Sequence, residues 1–165
     1  EALKILGIDP GSRVTGYGLI EQEGNITRYL DSGCIRIPEK WNLSEKLLRI
    51  ANSLDQLIVE KRPDCASIEQ IFFARNARTA LILGHVRGVI LFKMTEKGLP
   101  VHEYPPLQVK QAVVGVGRAS KDQVLHMVQI LLNQRKPFAE DEADALASAI
   151  THAHYFPTLN RIKNS

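Results

Sequence analysis

The stretch Ile5-Leu6-Gly7-Ile8-Asp9-Pro10-Gly11-Ser12-Arg13 constrains this chain more than any other. An apolar run of strand character ends in an acid, and Pro10 and Gly11 then force the chain to turn. The expected result is a central strand with a carboxylate at its rim. A lone carboxylate there has a plain role, accepting hydrogen bonds from turn amides. The next residues argue for more. Ser12, Gly16 and Gly18 read as a turn feeding a second strand, so that Asp9 stands beside an open, backbone-lined surface able to meet a phosphate.

At 165 residues, with 44% hydrophobic and 24% charged residues, the chain has the size and composition of one folded domain with a sizeable core. Its formal net charge of +3 is too modest to name a partner, but the charges are unevenly spread. Between Glu69 and Glu96 there is no acid, while Arg75, Arg78, Arg87 and Lys93 are present. Between Glu103 and Asp122 there is again none, with Lys110, Arg118 and Lys121 present. Acids gathered at a few points and stripped elsewhere fit a metal held in one place with a polyanion around it; the alternative is a meaningless surface pattern. Cys34 and Cys65 make no disulfide framework and no metal pair by spacing, and read as small buried residues of a reducing compartment. No signal peptide is read. The apolar run from Leu81 to Met94 is broken by His85, Arg87 and Lys93 and is too short for a bilayer, so a cytoplasmic protein without a membrane span is expected.

Three strands are expected over 3–8, 14–21 and 26–36, joined by turns, followed by a helix from about Leu43 to Lys61. Asn42 and Glu45 have capping-box spacing, and Leu43, Leu47, Ile50, Leu54, Leu57 and Ile58 share one helical face. Cys65 to Glu69 is a short strand ending in an acid, as the first does. A second long helix covers Ala77 to Lys97 and is apolar on more than one side; Val101 to Tyr104 forms the fifth strand. A short helix reaches Val114, and another follows the capping pair Ser120 and Gln123, with Val124, Met127, Val128, Leu131 and Leu132 as its buried stripe. The last helix runs from Glu140 to about Phe156, and its alanines would let it lie close against the sheet. Pro157 is expected to end it. The division is thus a domain over 1–156 and a polar C-terminal tail over 157–165.

Asp9 and Glu69 fall at strand ends, and Asp141 and Asp144 lie three apart on one face at a helix start. Carboxylates packed together repel and raise one another's pKa unless a cation relieves them, and Mg²⁺ prefers oxygen ligands. For the last pair a cap and a favourable helix-dipole position is the competing account. It leaves unexplained why Asp144 opens a run of small apolar residues.

Four separated motifs carry a resemblance: Ile8-Asp9-Pro10-Gly11-Ser12, Ile68-Glu69-Gln70, Gln108-Val109-Lys110-Gln111, and Asp141-Glu142-Ala143-Asp144-Ala145-Leu146-Ala147. In this order they resemble the bacterial crossover junction endodeoxyribonucleases of the RuvC family, the Holliday junction resolvases, from Leu3 to about Tyr155. The resemblance implies an α/β, RNase H-like fold, with a five-stranded mixed sheet, antiparallel first three strands and helices on both faces. It also implies a homodimer, action on four-way junction DNA beside the branch-migration proteins RuvA and RuvB, and two divalent metals per active site, Mg²⁺ with Mn²⁺ as a substitute. Asp9, Glu69, Asp141 and Asp144 fall on the family's catalytic, metal-binding acids, and no departure is seen there. The expected reaction is in-line phosphodiester hydrolysis leaving 5′-phosphate and 3′-hydroxyl ends, with Asp9 bridging the metals. Lys110 and Lys121 fall on lysines used close to the DNA, and Phe72 on an aromatic near the junction centre.

Phe73 and Arg75 beside Phe72, and Arg118 in the acid-free stretch, complete the expected DNA-binding set; Phe73 as a core residue is the alternative. His152, two turns beyond Asp144, has a conceivable route to the site, although helical histidines more often satisfy local hydrogen bonds. The dimer interface is expected on the second long helix, at Leu81, Gly84, Gly88 and Leu91, where apolar surface exceeds what one sheet face covers and glycines permit close approach. A helix simply buried in the monomer is the competing account. Two rivals remain for the whole. Ile8-Asp9-Pro10-Gly11-Ser12 also resembles the first phosphate motif of actin-like ATPases and sugar kinases, which need a second lobe and more chain. A junction-binding protein without cutting activity is the other, and the intact set of acids speaks against it.

Overall fold

The alternation of side chains along the central strand decides the architecture. β1 (Leu3–Asp9) sends Leu6 and Ile8 into one core cluster, while Ile5 joins the other and Gly7 lies against a helix on that second side. Asp9, next in the same alternation, therefore emerges at the rim of the second face. The computed structural model describes residues 1–71 and 75–165. β2 (Val14–Glu23) pairs antiparallel with β1, and β3 (Ile26–Arg36) antiparallel with β2. β4 (Cys65–Glu69) pairs parallel with β1, and β5 (Val101–Tyr104) parallel with β4, giving one five-stranded sheet in the order β3-β2-β1-β4-β5.

Two helices cover the first face. α1 (Leu43–Lys61) begins with the expected capping box: the Glu45 amide donates to Asn42 Oδ1 at 2.9 Å, and the Asn42 amide donates to Glu45 Oε2 at 3.0 Å. Its Ile50 and Leu54 pack with Val86, Ile90 and Met94 of α2 (Ala77–Glu96) against Leu6, Ile8, Ala66 and Ile68. The second face carries α3 (Pro106–Val114), α4 (Lys121–Leu131) and α5 (Glu140–Lys163). There Ile5, Ile20 and Tyr104 meet Val109, Val113, Val124, Val128, Leu146 and Ile150. This mixed sheet with antiparallel first strands and helices on both faces is the RNase H-like arrangement.

α5 lies unusually close to the sheet because β1 and β2 present no side chain where it passes. A Cβ on Gly7 would stand 1.8 Å from the Ala145 carbonyl oxygen, and one on Gly16 2.1 Å from that of Asp141. Gly16 pairs with Asp9 in the β1–β2 register, so the start of α5 sits directly over the end of β1.

Three expectations need correction. α5 does not stop before Pro157 but runs through it to Lys163, so the polar end of the chain is largely helical. A proline removes one backbone bond and crowds the preceding turn; here it is on the exposed side, and Tyr155 in the turn before it packs against the core. Leu131 is exposed, because the buried stripe of α4 steps from Val128 to Leu132. Cys34 is only half-buried on β3, the edge strand. On α2, Leu81 is 67% exposed, Gly84 and Gly88 open to solvent, and Leu91 packs partly against the core.

Candidate active site

Each acid reaches the site by a different route. Asp9 ends β1, and the turn after it is locked by Thr15, wholly buried, whose hydroxyl donates to the Gly11 carbonyl at 2.8 Å and accepts from the Gly11 amide at 3.2 Å. Asp141 and Asp144 come from the first turns of α5. The cap there is made by Glu142, whose Oε1 accepts from the Ala139 amide at 3.0 Å while Oε2 accepts from the Ser32 hydroxyl at 2.6 Å. Glu142 thus ties the helix start to β3 and frees Asp141 from any capping duty. One carboxylate oxygen from each of Asp9, Asp141 and Asp144 lies within 4.8 Å of the others.

Glu69 ends β4 on the same face, by the alternation that puts Cys65 and Ser67 toward α5. Arg87 of α2 holds that strand end: its guanidinium donates to the Glu69 carbonyl oxygen at 2.8 Å and pairs with Glu103 of β5. Glu69 lines a cleft of about 270 Å³ with Asp144, Lys110, Lys121, Pro106, Val109, Val124 and Ala147. Lys121, the first residue of α4, donates a hydrogen bond to Asp144 and stands 4.0 Å from Glu140.

The electrostatics are those of crowded acids. Burial pushes Asp9 up to about 8, assisted by the charge of Asp144 and by the hydrogen bond and charge of Asp141, with Lys121 opposing. Glu69 is raised by burial and then by Asp144, against Lys121 and Lys110. Asp144 is raised by burial, against its hydrogen bond to Lys121. Burial alone would lower Lys121; the hydrogen bond from it to Asp144 and the charges of Asp144, Glu140 and Asp9 turn the shift upward.

An all-oxygen set of crowded, partly buried carboxylates is relieved by a hard divalent cation, so these residues fit Mg²⁺. A second group, Cys65, His102 and His152, also offers donor atoms within 4.8 Å of one another. Its sulfur and nitrogen donors do not suit Mg²⁺.

The structure therefore gathers Asp9, Asp141 and Asp144, and puts Glu69, Lys110 and Lys121 in the adjoining cleft. Arg75, just before α2, and Arg118, in the α3–α4 loop, are exposed and do not line the described cleft wall. Phe72 and Phe73 lie outside the described residues. His152 does not reach the acids: it is fully buried, stacked on His102 with ring centroids 4.0 Å apart. Arg87 and Glu142 were missed by sequence reasoning. Glu142 carried a signal, since it stands three residues after the helix N-cap; Arg87 carried none.

The sequence profile described as Crossover junction endodeoxyribonuclease RuvC matches residues 5–152. The chain belongs to that family. It is a nuclease that resolves Holliday junctions by metal-dependent hydrolysis of DNA phosphodiesters. A RuvC relative from Marinobacter nauticus is 58% identical over 159 residues, covering 96% of this chain and 90% of its own length. One from Halorhodospira halophila is 53% identical over 152 residues, covering 92% and 90%. A solved structure of Thermus thermophilus RuvC in complex with Holliday junction substrate matches with a TM-score of 0.90 at 34% identity, over 94% of this chain and 96% of that one.

Proposed function

We propose that Asp9, Glu69, Asp141 and Asp144 are the catalytic acids of this RuvC-family nuclease, and that they hold two Mg²⁺ ions, which Mn²⁺ can replace. The observation that carries this is the convergence of Asp9, Asp141 and Asp144 within 4.8 Å, with Asp9 held up to about 8. When bound, the two ions supply the positive charge that activates the attacking water and stabilises the departing 3′ oxygen. Asp9, on the central strand, would hold the ions through its carboxylate, releasing to solvent the proton that burial favours. Glu69 faces the same cleft from β4. Lys121 and Lys110 meet backbone phosphate and offset charge that builds on the scissile group. The ends left are 5′-phosphate and 3′-hydroxyl. Asp9→Asn is the test: cleavage of a synthetic immobile junction should fall by roughly 10²–10³-fold or more while junction binding persists. Retained Mg²⁺-dependent cutting by this variant sinks the assignment.

Symmetric nicking needs a second site related by two-fold symmetry, and we assign the homodimer interface to the outer face of α2. What supports it is an apolar stripe facing solvent: Leu81, 67% exposed, Phe92, 63% exposed, and Gly84 and Gly88 between them. A Cβ at either glycine would meet nothing within 4 Å among the described residues. Gly84→Arg should therefore leave the fold intact, give a monomer in sedimentation equilibrium and abolish paired nicks; a variant that stays dimeric rejects this face. Phe72 as the aromatic wedge, Phe73 with Arg75 and Arg118 on the DNA, and work beside RuvA and RuvB in the cytoplasm rest on the family resemblance. Among the described residues, no helix is long and apolar enough to cross a membrane.

A further inference from the structure

The far end of the seam between α5 and the sheet holds a different donor set. Cys65 opens β4, His102 lies on β5 and His152 on α5, with one donor atom of each within 4.8 Å of the other two. Cys65 is 4% exposed and His152 0%. Tyr104 Oη lies 2.7 Å from His152 Nδ1, whereas His152 Nε2, equally buried, has no hydrogen-bond partner among the described residues. Buried polar atoms are seldom left so, and the exceptions call for an explanation. When Nδ1 carries the proton and donates it to Tyr104 Oη, Nε2 presents a bare lone pair. That is the arrangement of a metal-binding histidine whose other ring nitrogen is held by an oxygen partner.

We propose that Cys65, His102 and His152 bind one Zn²⁺ ion, which ties the edge strand β5 and the start of β4 to α5. One thiolate and two imidazoles are donors that select a borderline-soft cation over Mg²⁺, and three protein ligands leave a fourth position for water on the half-exposed His102 side. Burial lowers His152 to about 4 and lowers His102 as well, so both imidazoles are neutral at neutral pH and neither must shed a proton to offer a lone pair. Cys65 does: burial pushes its thiol up to about 12, and coordination is what removes that proton, releasing it to solvent. The His102 ring, now stacked on His152, must turn to bring its lone pair round, which its place on an edge strand permits. The site does not draw on the acids. The buried pair Ser67–Ser148, with hydroxyls 2.9 Å apart, stands between the two ends.

The test uses the whole chain with excess Mg²⁺ present to occupy the acids, and Co²⁺ as the spectroscopic probe. One Co²⁺ per chain should bind with intense tetrahedral visible bands and a thiolate-to-cobalt charge-transfer band, both displaced by one equivalent of Zn²⁺, and Zn²⁺ should raise the Tm. Cys65→Ser should lose the charge-transfer band while Cys34→Ser keeps it. Tyr104→Phe should weaken Zn²⁺ binding by roughly 10–100-fold. His102→Ala, on the half-exposed edge, tests the same site should Cys65→Ser fail to fold, and should lose the tetrahedral bands. A weak octahedral spectrum alone, a charge-transfer band that survives in Cys65→Ser, tetrahedral bands that survive in His102→Ala, or Zn²⁺ binding without any rise in Tm overturns the proposal.

Discussion

The two ends of the α5 seam are built alike and carry opposite donor chemistry. Asp144, Ser148 and His152 recur every four residues along one face of α5, opposite the β4 stripe Cys65, Ser67 and Glu69. At the start of the helix the stripe meets a rim that opens into a cleft; two turns on, it is sealed among Tyr104, Tyr155 and Phe156. Burial drives each end toward its uncharged form, raising Asp9 to about 8 and lowering His152 to about 4. The difference teaches that a helix laid tightly on a sheet makes a donor site wherever the alternation of the strands meets the repeat of the helix. Which cation suits it follows from the residue types alone.

The comparison breaks most severely at Gly16. In Gly16→Ala the new Cβ would stand 2.1 Å from the Asp141 carbonyl oxygen, which is backbone, so the start of α5 must move. Displacement of reacting groups by about 1 Å costs roughly 10²-fold, and junction cleavage should fall by at least that. NMR titration should still find His152 uncharged at pH 6, because its end of the helix is anchored separately; a charged His152 there means that the two ends are one unit. Lys121→Met sharpens the acid end only. Its charge holds Asp9, Glu69 and Asp144 down, so without it cleavage at neutral pH and limiting Mg²⁺ should drop roughly tenfold and recover in part at higher pH. An unaltered pH–rate profile removes Lys121 from the site.

Metal-free stability gives a smaller effect with a definite sign. Burial holds Asp9 up to about 8 in the folded chain against its ordinary 3.8, so between these pH values the folded state binds more protons than the unfolded one. Stability without metal should therefore decline as pH rises from about 4 to about 8. Asp9→Asn should remove much of the decline, with a Tm above wild type at pH 8 in EDTA by roughly 2–8 °C for about 1–2 kcal/mol. Parallel pH curves for the two proteins would contradict the burial of Asp9. The smallest effect lies between the ends. Ser67→Ala removes the hydroxyl that donates to the Ser148 carbonyl at 2.8 Å, and should cost about 1 kcal/mol, roughly 2–4 °C in Tm, with cleavage unchanged. A loss of cleavage there would mean that the two ends communicate.

Much of this was legible in the amino-acid order, because local rules act within a few residues. The apolar run into Asp9-Pro10-Gly11 made a central strand with an acid at its rim, and the boxes Asn42/Glu45 and Ser120/Gln123 capped α1 and α4 as their spacing required. The α2 helix and the five strands were likewise readable from pattern and punctuation. Pro157 misled, since a proline forbids only one bond, and a turn already packed through Tyr155 carries the helix past it.

By itself, then, the sequence determined the elements, the caps of α1 and α4 and the supply of acids. Only the tertiary structure decided that Asp9, Asp141 and Asp144 meet within 4.8 Å while Glu69 stands at the cleft beside them. It also decided that Arg87 pins the end of β4 from the opposite face, and that His152 turns away from the acids toward Tyr104. The reason is physical. A helix or strand forms on interactions a few residues apart, whereas a site depends on how closely two backbones approach. Here that closeness is set by side chains that are absent, at Gly7 and Gly16, more than a hundred residues from the helix they admit.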